Sequence, residues 1–203
     1  GTSVFTNLDI SGDVDVDGTL ETDNLTVGGA QGSDGQVLTS TGSGVGWEAA
    51  AGGGKVLQVI SAVTDTSVTS SSTTYADTNL TANITPATNS KVLVLVSQNV
   101  GTKFIASAAV YVRLKLFRGT TELEYYPAFV WHYIDGWDAI DPGYLISTGS
   151  FNHLDASPGG DGSTALTYKT QIAADDGDVG DTVYAQGPDS NAVSSMTLIE
   201  IGA

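Results

Sequence analysis

Two groups of residues in this sequence could do chemistry: aromatic rings gathered between Tyr125 and Tyr144, and carboxylates gathered in two acidic runs. The aromatic group runs Tyr125-Tyr126-Pro127-Ala128-Phe129-Val130-Trp131-His132-Tyr133 and continues through Trp137 to Tyr144. Aromatic faces stack on sugar rings, and carboxylates such as those of Asp135 and Asp138 accept hydrogen bonds from sugar hydroxyls. Asp135-Gly136-Trp137-Asp138 reads as a turn between strands, where an indole flanked by two acids is out of place in a core. Trp137, Tyr144, Asp135 and Asp138 are therefore the expected binding residues. Phe129, Trp131 and Tyr133 share one face of a strand and are expected to fill a core or a subunit boundary.

The sharper acidic run is Asp13-Val14-Asp15-Val16-Asp17-Gly18, followed by Thr19. In a calcium loop, Asp13, Asp15 and Asp17 would be the first ligands and Gly18 the tight turn. Asn24, however, stands where a bidentate glutamate belongs. Strand alternation accounts for the same residues, with Val14 and Val16 inward and the three aspartates toward solvent. The second run holds Asp175, Asp176 and Asp178, which read either as a hard-cation loop or as a solvated turn. No metal and no cofactor is expected at either run. Catalysis is short of parts: His132 and His153 are the only histidines, and no nucleophile elbow or phosphate loop occurs. A glycosidase needs only two carboxylates, which eighteen aspartates could supply, but no constellation in the sequence singles out a pair. An enzyme is not expected, and a glycan depolymerase is the minor alternative.

The elements that must position these residues are strands. Among 203 residues there are 25 glycines but only five glutamates and seven Lys plus Arg, a composition poor in helix formers and rich in turn and β-branched residues. There is no cysteine, so neither a disulfide framework nor a thiolate metal site is possible. No apolar run approaches the roughly 18 residues needed to cross a bilayer as a helix. The net charge of −16 is unevenly spread, −8 over residues 1–54, +2 over 55–134 and −10 over 135–203. Such ends repel phosphate backbones, which argues against nucleic acid as a partner.

Three segments follow from the pattern. Residues 1–30 are short apolar pieces (Phe5 to Ile10, Val14 to Val16, Thr19 to Glu21, Leu25 to Val27) separated by turn chemistry. Each piece has one narrow apolar face and no second layer to cover it, so the cover must come from neighbouring chains or from repeats. Residues 31–54 have linker composition with one aromatic anchor, Trp47. Residues 55–203 hold about eight longer strands, expected over Lys55 to Val63, Lys91 to Val100, Ala108 to Phe117, Leu123 to Ile134, Tyr144 to Phe151, Thr164 to Ala173, Asp181 to Ala185 and Ala192 to Ile201. Along Val110 to Phe117 the residues Val110, Val112, Leu114 and Leu116 form a core face. The expected class is all-β, with a jelly-roll-like β-sandwich over 55–203.

Several of these stretches, in this order, resemble bacteriophage tail fibres of the cyanophage and marine-phage type. They are Asn24-Leu25-Thr26-Val27-Gly28-Gly29, Gly35 to Gly44 leading to Trp47, Lys55 to Val59, Ser71 to Thr78 with Ile84-Thr85-Pro86, Ser90 to Val94, and Ser195 to Gly202. The resemblance implies a homotrimeric virion fibre: a trimeric β shaft over 1–30, a Gly-rich linker over 31–54, and a head over 55–203. Its implied partners are other virion proteins on the N-terminal side and a host-surface glycan or protein at the head. A capsid head fibre or decoration protein without a receptor role shares the same modular make-up. No binding residue carries over from the family.

Overall fold

The computed structural model describes residues 9–50, 55–103, 109–133, 144–175, 182–187 and 192–203. Every element among them is a β-strand, and every pairing is antiparallel. The chain divides into two units, residues 1–51 and 52–203.

In the first unit, residues 9–26 join no strand ladder, and the side chains of Ile10, Val14, Val16, Leu20 and Leu25 are exposed. The glycine-rich stretch that follows holds an antiparallel hairpin, β1 (Gln36–Ser40) and β2 (Val45–Ala49), in which Leu38 pairs with Trp47. Trp47 is anchored locally: its Nε1–H donates to the Ala30 carbonyl at 3.1 Å, and its ring lies flat on Gly32. A Cβ at residue 32 would sit 2.7 Å from that ring, so only glycine allows the approach.

The second unit is a sandwich-like pair of sheets. Its strands are β3 (Val56–Thr64), β4 (Val68–Ser70), β5 (Ala76–Ile84), β6 (Lys91–Lys103), β7 (Ala109–Arg118), β8 (Thr121–Tyr133), β9 (Tyr144–Asp155), β10 (Leu166–Ala174), β11 (Thr182–Ala185) and β12 (Ser194–Ile201). One sheet has the order β5-β10-β7-β8. The other is built on β6, with β9 along one edge; on the other edge β12 pairs with Lys91 to Ser97 and β11 with Val100 to Lys103. Outside these, β3 flanks β12 and β4 flanks β11. The strand expectations for β7 hold in detail: Val110, Val112, Leu114 and Leu116 are all buried. No strand is expected from the sequence between Val63 and Lys91, yet β4 and β5 lie there. The inward residues of β5, Thr78, Leu80, Ala82 and Ile84, are buried in strict alternation with exposed Asp77, Asn79, Thr81 and Asn83.

Between the sheets lie two apolar clusters, one around Leu80, Val94, Leu116, Tyr168 and Leu198, the other around Val100, Val112, Leu114, Ile172 and Val183. A fully buried polar seam separates them. Along β6 the inward order is Val96, Gln98, Val100, and along β10 it is Tyr168, Thr170, Ile172. Thr170 donates to Gln98 Oε1 at 2.8 Å, Gln98 Nε2 donates to Ser194 Oγ at 2.9 Å, and Thr78 and Thr170 share a hydroxyl hydrogen bond. The amide of Gln186, oriented to suit its neighbours, donates to the carbonyls of Thr66 and Thr78, each at 3.0 Å.

The seam lies where it does because β11 ends at Ala185 and β12 begins at Ser194, which leaves the edge of β6 opposite β9 without a strand neighbour at Gln98 and Asn99. The Asn99 N–H instead donates to Ser194 Oγ at 2.8 Å, and the Gln186 N–H donates to the Asn99 carbonyl at 3.1 Å. Buried backbone groups must find such partners, and side chains supply them here. A second polar tie, near the end of β9, joins Asp155 to Arg118 and to the Tyr168 hydroxyl, the latter at 2.8 Å. Burial and the neighbouring Asp155 carboxylate push the Tyr168 hydroxyl well above the usual tyrosine pKa, so it stays a donor.

Gln98→Leu keeps the volume but strips partners from Thr170 and Ser194 together. Removing one side of a buried hydrogen bond costs about 1–3 kcal/mol per stranded group. Urea unfolding should therefore show a loss of about 2–4 kcal/mol, and an unchanged midpoint would mean that the seam contributes nothing.

Candidate functional site

The outer face of the β5-β10-β7-β8 sheet combines charge with exposed rings. Period-two alternation turns Tyr111, Arg113 and Lys115 outward from β7, opposite the core face that alternation also sets. From β8 come Trp131, which pairs with Tyr111, and Tyr125, which pairs with Lys115. Tyr75 enters from the residue before β5.

Two aromatic contacts organise this surface. The Tyr111 and Trp131 rings stack with centroids 6.2 Å apart and planes 25° from parallel, and Trp131 remains 57% exposed. Lys115 Nζ lies 4.5 Å from the Tyr75 ring centroid and 5.4 Å from that of Tyr125, and it pairs with Glu122 at 2.7 Å. An ammonium held over two rings fixes both rings and a positive charge in one place. Burial, and then the adjacent Tyr125, push the Tyr75 hydroxyl up to about 12, so it stays protonated at neutral pH. Arg113 pairs with Asp175, while Asp77 accepts from Lys169 and Gln171. Rings, hydroxyls, a cation and carboxylates thus share one surface, the set of groups that suits a sugar or a polar protein face.

The expected site residues fall differently. Trp137, Asp135 and Asp138 lie outside the described residues, as do Asp176 and Asp178. Tyr144 is the first residue of β9, opposite Lys103 in β6. Asp13, Asp15 and Asp17 are exposed, and among the described residues no three histidine or carboxylate side chains gather as a metal site. Asp175 is tied to the Arg113 guanidinium.

The expectation that Phe129 and Trp131 share a face needs correction. Leu114 pairs with Tyr126 and Val112 with Val130, so Arg113 alone stands against Pro127, Ala128 and Phe129. Two extra residues leave the alternation on either side unchanged, but within this irregular stretch Phe129 departs from it and turns in against Phe151 and Tyr126, each ring centroid 5.9 Å away, while Trp131 beyond it turns out. Phe129 seats on Gly149, where a Cβ would come within 2.3 Å of its ring. Sequence reasoning did not single out Tyr75, Tyr111 or Lys115. For Tyr111 and Lys115 the signal was available, since a strand with one core face has an opposite face free for contact.

No protein-family model matches this chain, and neither does any curated protein.

Trp131 and Phe129, two residues apart, should separate surface from core. Phe→Ala in a packed setting costs about 3–5 kcal/mol. Phe129→Ala should lower stability by about 3 kcal/mol in denaturant unfolding. Trp131→Ala should change it by less than about 1 kcal/mol, as surface substitutions do. Comparable losses at the two positions would place Trp131 in the core.

Proposed function

We propose that this chain is a bacteriophage virion fibre protein that assembles as a homotrimer and attaches the particle to a host surface without catalysis. Residues 1–30 form the intertwined shaft, residues 31–54 connect it to the head, and the N-terminal side joins other virion proteins. The observation that carries this reading is the uncovered apolar series Ile10, Val14, Val16, Leu20 and Leu25. Such a series is stable in water only when another layer covers it, and copies of the same segment supply that layer at no cost in new sequence.

The head's strand order supports a jelly roll. With β3 and β4 taken as one interrupted strand, and β11 and β12 as another, the eight resulting strands divide cleanly. The first, eighth, third and sixth form one sheet, and the second, seventh, fourth and fifth the other. That is the order of two Greek keys wrapped into a sandwich. Receptor contact is proposed for the face that carries Tyr111, Trp131, Tyr75, Tyr125 and Lys115. Trp137, Asp135 and Asp138, in the segment 134–143 that follows β8 in the sequence, and Tyr144 after it are proposed to take part as well. The ligand is a host-surface glycan or protein.

Competition for adsorption tests the reading. Purified protein added to host cells should block adsorption of the phage that carries it. Loss of an aromatic hot spot costs about 2 kcal/mol or more, and tenfold in affinity corresponds to about 1.4 kcal/mol. Trp131→Ala should therefore raise the blocking concentration at least tenfold. Equal blocking by the variant would move the contact elsewhere, and no blocking by the wild-type chain would favour a decoration protein without a receptor role.

A further inference from the structure

The two outer faces of the sandwich differ in kind. The β5-β10-β7-β8 face holds Asp77, Lys169, Lys115, Glu122 and Arg113. The opposite face, formed by β3, β12, β6 and β9, presents Val59 and Val63, Ile199, Leu93 and Leu95, and Leu154. Val63 is 68% exposed and Leu95 39%. Between these apolar residues stand small hydroxyl and amide side chains, and a shallow dish of about 360 Å³ opens beside Leu95, Ser150 and Thr197. At the outward positions of these four strands the only charged side chains among the described residues are Lys91 and Lys103, one at each end of β6. Exposed Lys55 and Asp65 flank β3.

We infer that this face is covered by further copies of the same chain, three such faces turned toward one axis. The inference rests on the trimer reading above and names the surface through which the heads meet. Charge selects the occupant. Copies that each carry −16 repel one another through faces bearing carboxylates, and the outward positions of these four strands bear none among the described residues. A neighbouring copy that turns the same face here brings apolar groups to apolar groups without carboxylate facing carboxylate.

Size agrees with a tethered contact. Four strands about 4.8 Å apart, with about eight residues each at roughly 3.4 Å, give a footprint of roughly 500 Å² per copy. Three copies together would cover about 1,500 Å², or about 500 Å² for each of the three pairwise contacts. That is less than a free-standing interface needs but sufficient between chains already held together through residues 1–30, which raises their effective concentration. Apolar side chains with small hydroxyls between them also permit the close approach that an interface core needs.

Because the chain has no cysteine, single thiols report on this face directly. Leu95→Cys and Thr197→Cys place a thiol on it, and Thr81→Cys places one on the exposed face of β5. In the full-length assembled protein, N-ethylmaleimide should label the first two at least tenfold more slowly than Thr81→Cys, with rates normalised to each variant in urea. Gel filtration of the same samples separates the possible failures. A three-chain particle that labels equally fast at all three positions overturns this face as the interface and leaves the fibre reading standing, whereas a single-chain particle overturns both.

Discussion

Every strand has two faces, and a two-layer sandwich covers only one of them. The rest of this structure depends on that constraint. The inner faces are settled within the chain: β5, β7 and β10 bury their alternate residues against those of β6, β11 and β12, and two apolar clusters result. Where the neighbour of β6 is interrupted, apolar packing alone would leave backbone groups unsatisfied. The seam of Gln98, Thr170, Ser194, Gln186 and Thr78 meets that need and at the same time fixes the register of both sheets. A buried polar chain of this kind tolerates few alternative arrangements, because each displaced member strands its neighbours.

The outer faces are settled by chemistry rather than by the chain's own packing. One is laced with ion pairs and cation–aromatic contacts and is at ease in water. The other is apolar, with no carboxylate at the outward positions of β3, β6, β9 and β12 among the described residues. An acidic protein gains little from exposing such surfaces, but gains cohesion by placing them where carboxylates are absent. The same division of labour accounts for the uneven spread of basic residues: Arg113, Lys115, Arg118 and Lys169 all lie on one sheet.

Much of this was legible in the sequence, and what was not has physical causes. The alternation along β7 was plain, as was the turn at Arg118-Gly119-Thr120, where Gly119 takes the positive φ of 57° that a two-residue hairpin loop requires. β5 was hidden because Asp77, Asn79 and Asn83 are poor strand formers, and Asn79 takes a left-handed φ of 63° within it. Its inward set was nevertheless periodic. The hairpin β1–β2 was masked by glycine content that reads as linker, although its order is signalled by one residue, Trp47, which locks onto Ala30 and Gly32. The aromatic surface was the least legible. Which ring of β8 points outward is decided by an irregular pairing with β7, and Tyr75 reaches the site from a distant part of the chain.

The central claim is that this chain is complete only in the company of its copies. Sedimentation equilibrium of the full-length protein, over a hundredfold range of concentration, tests it most directly. The account predicts a particle of three times the 20.8 kDa chain mass throughout that range. A species that stays at 20.8 kDa at every concentration, with the apolar face and the N-terminal segment bare to water, would contradict it.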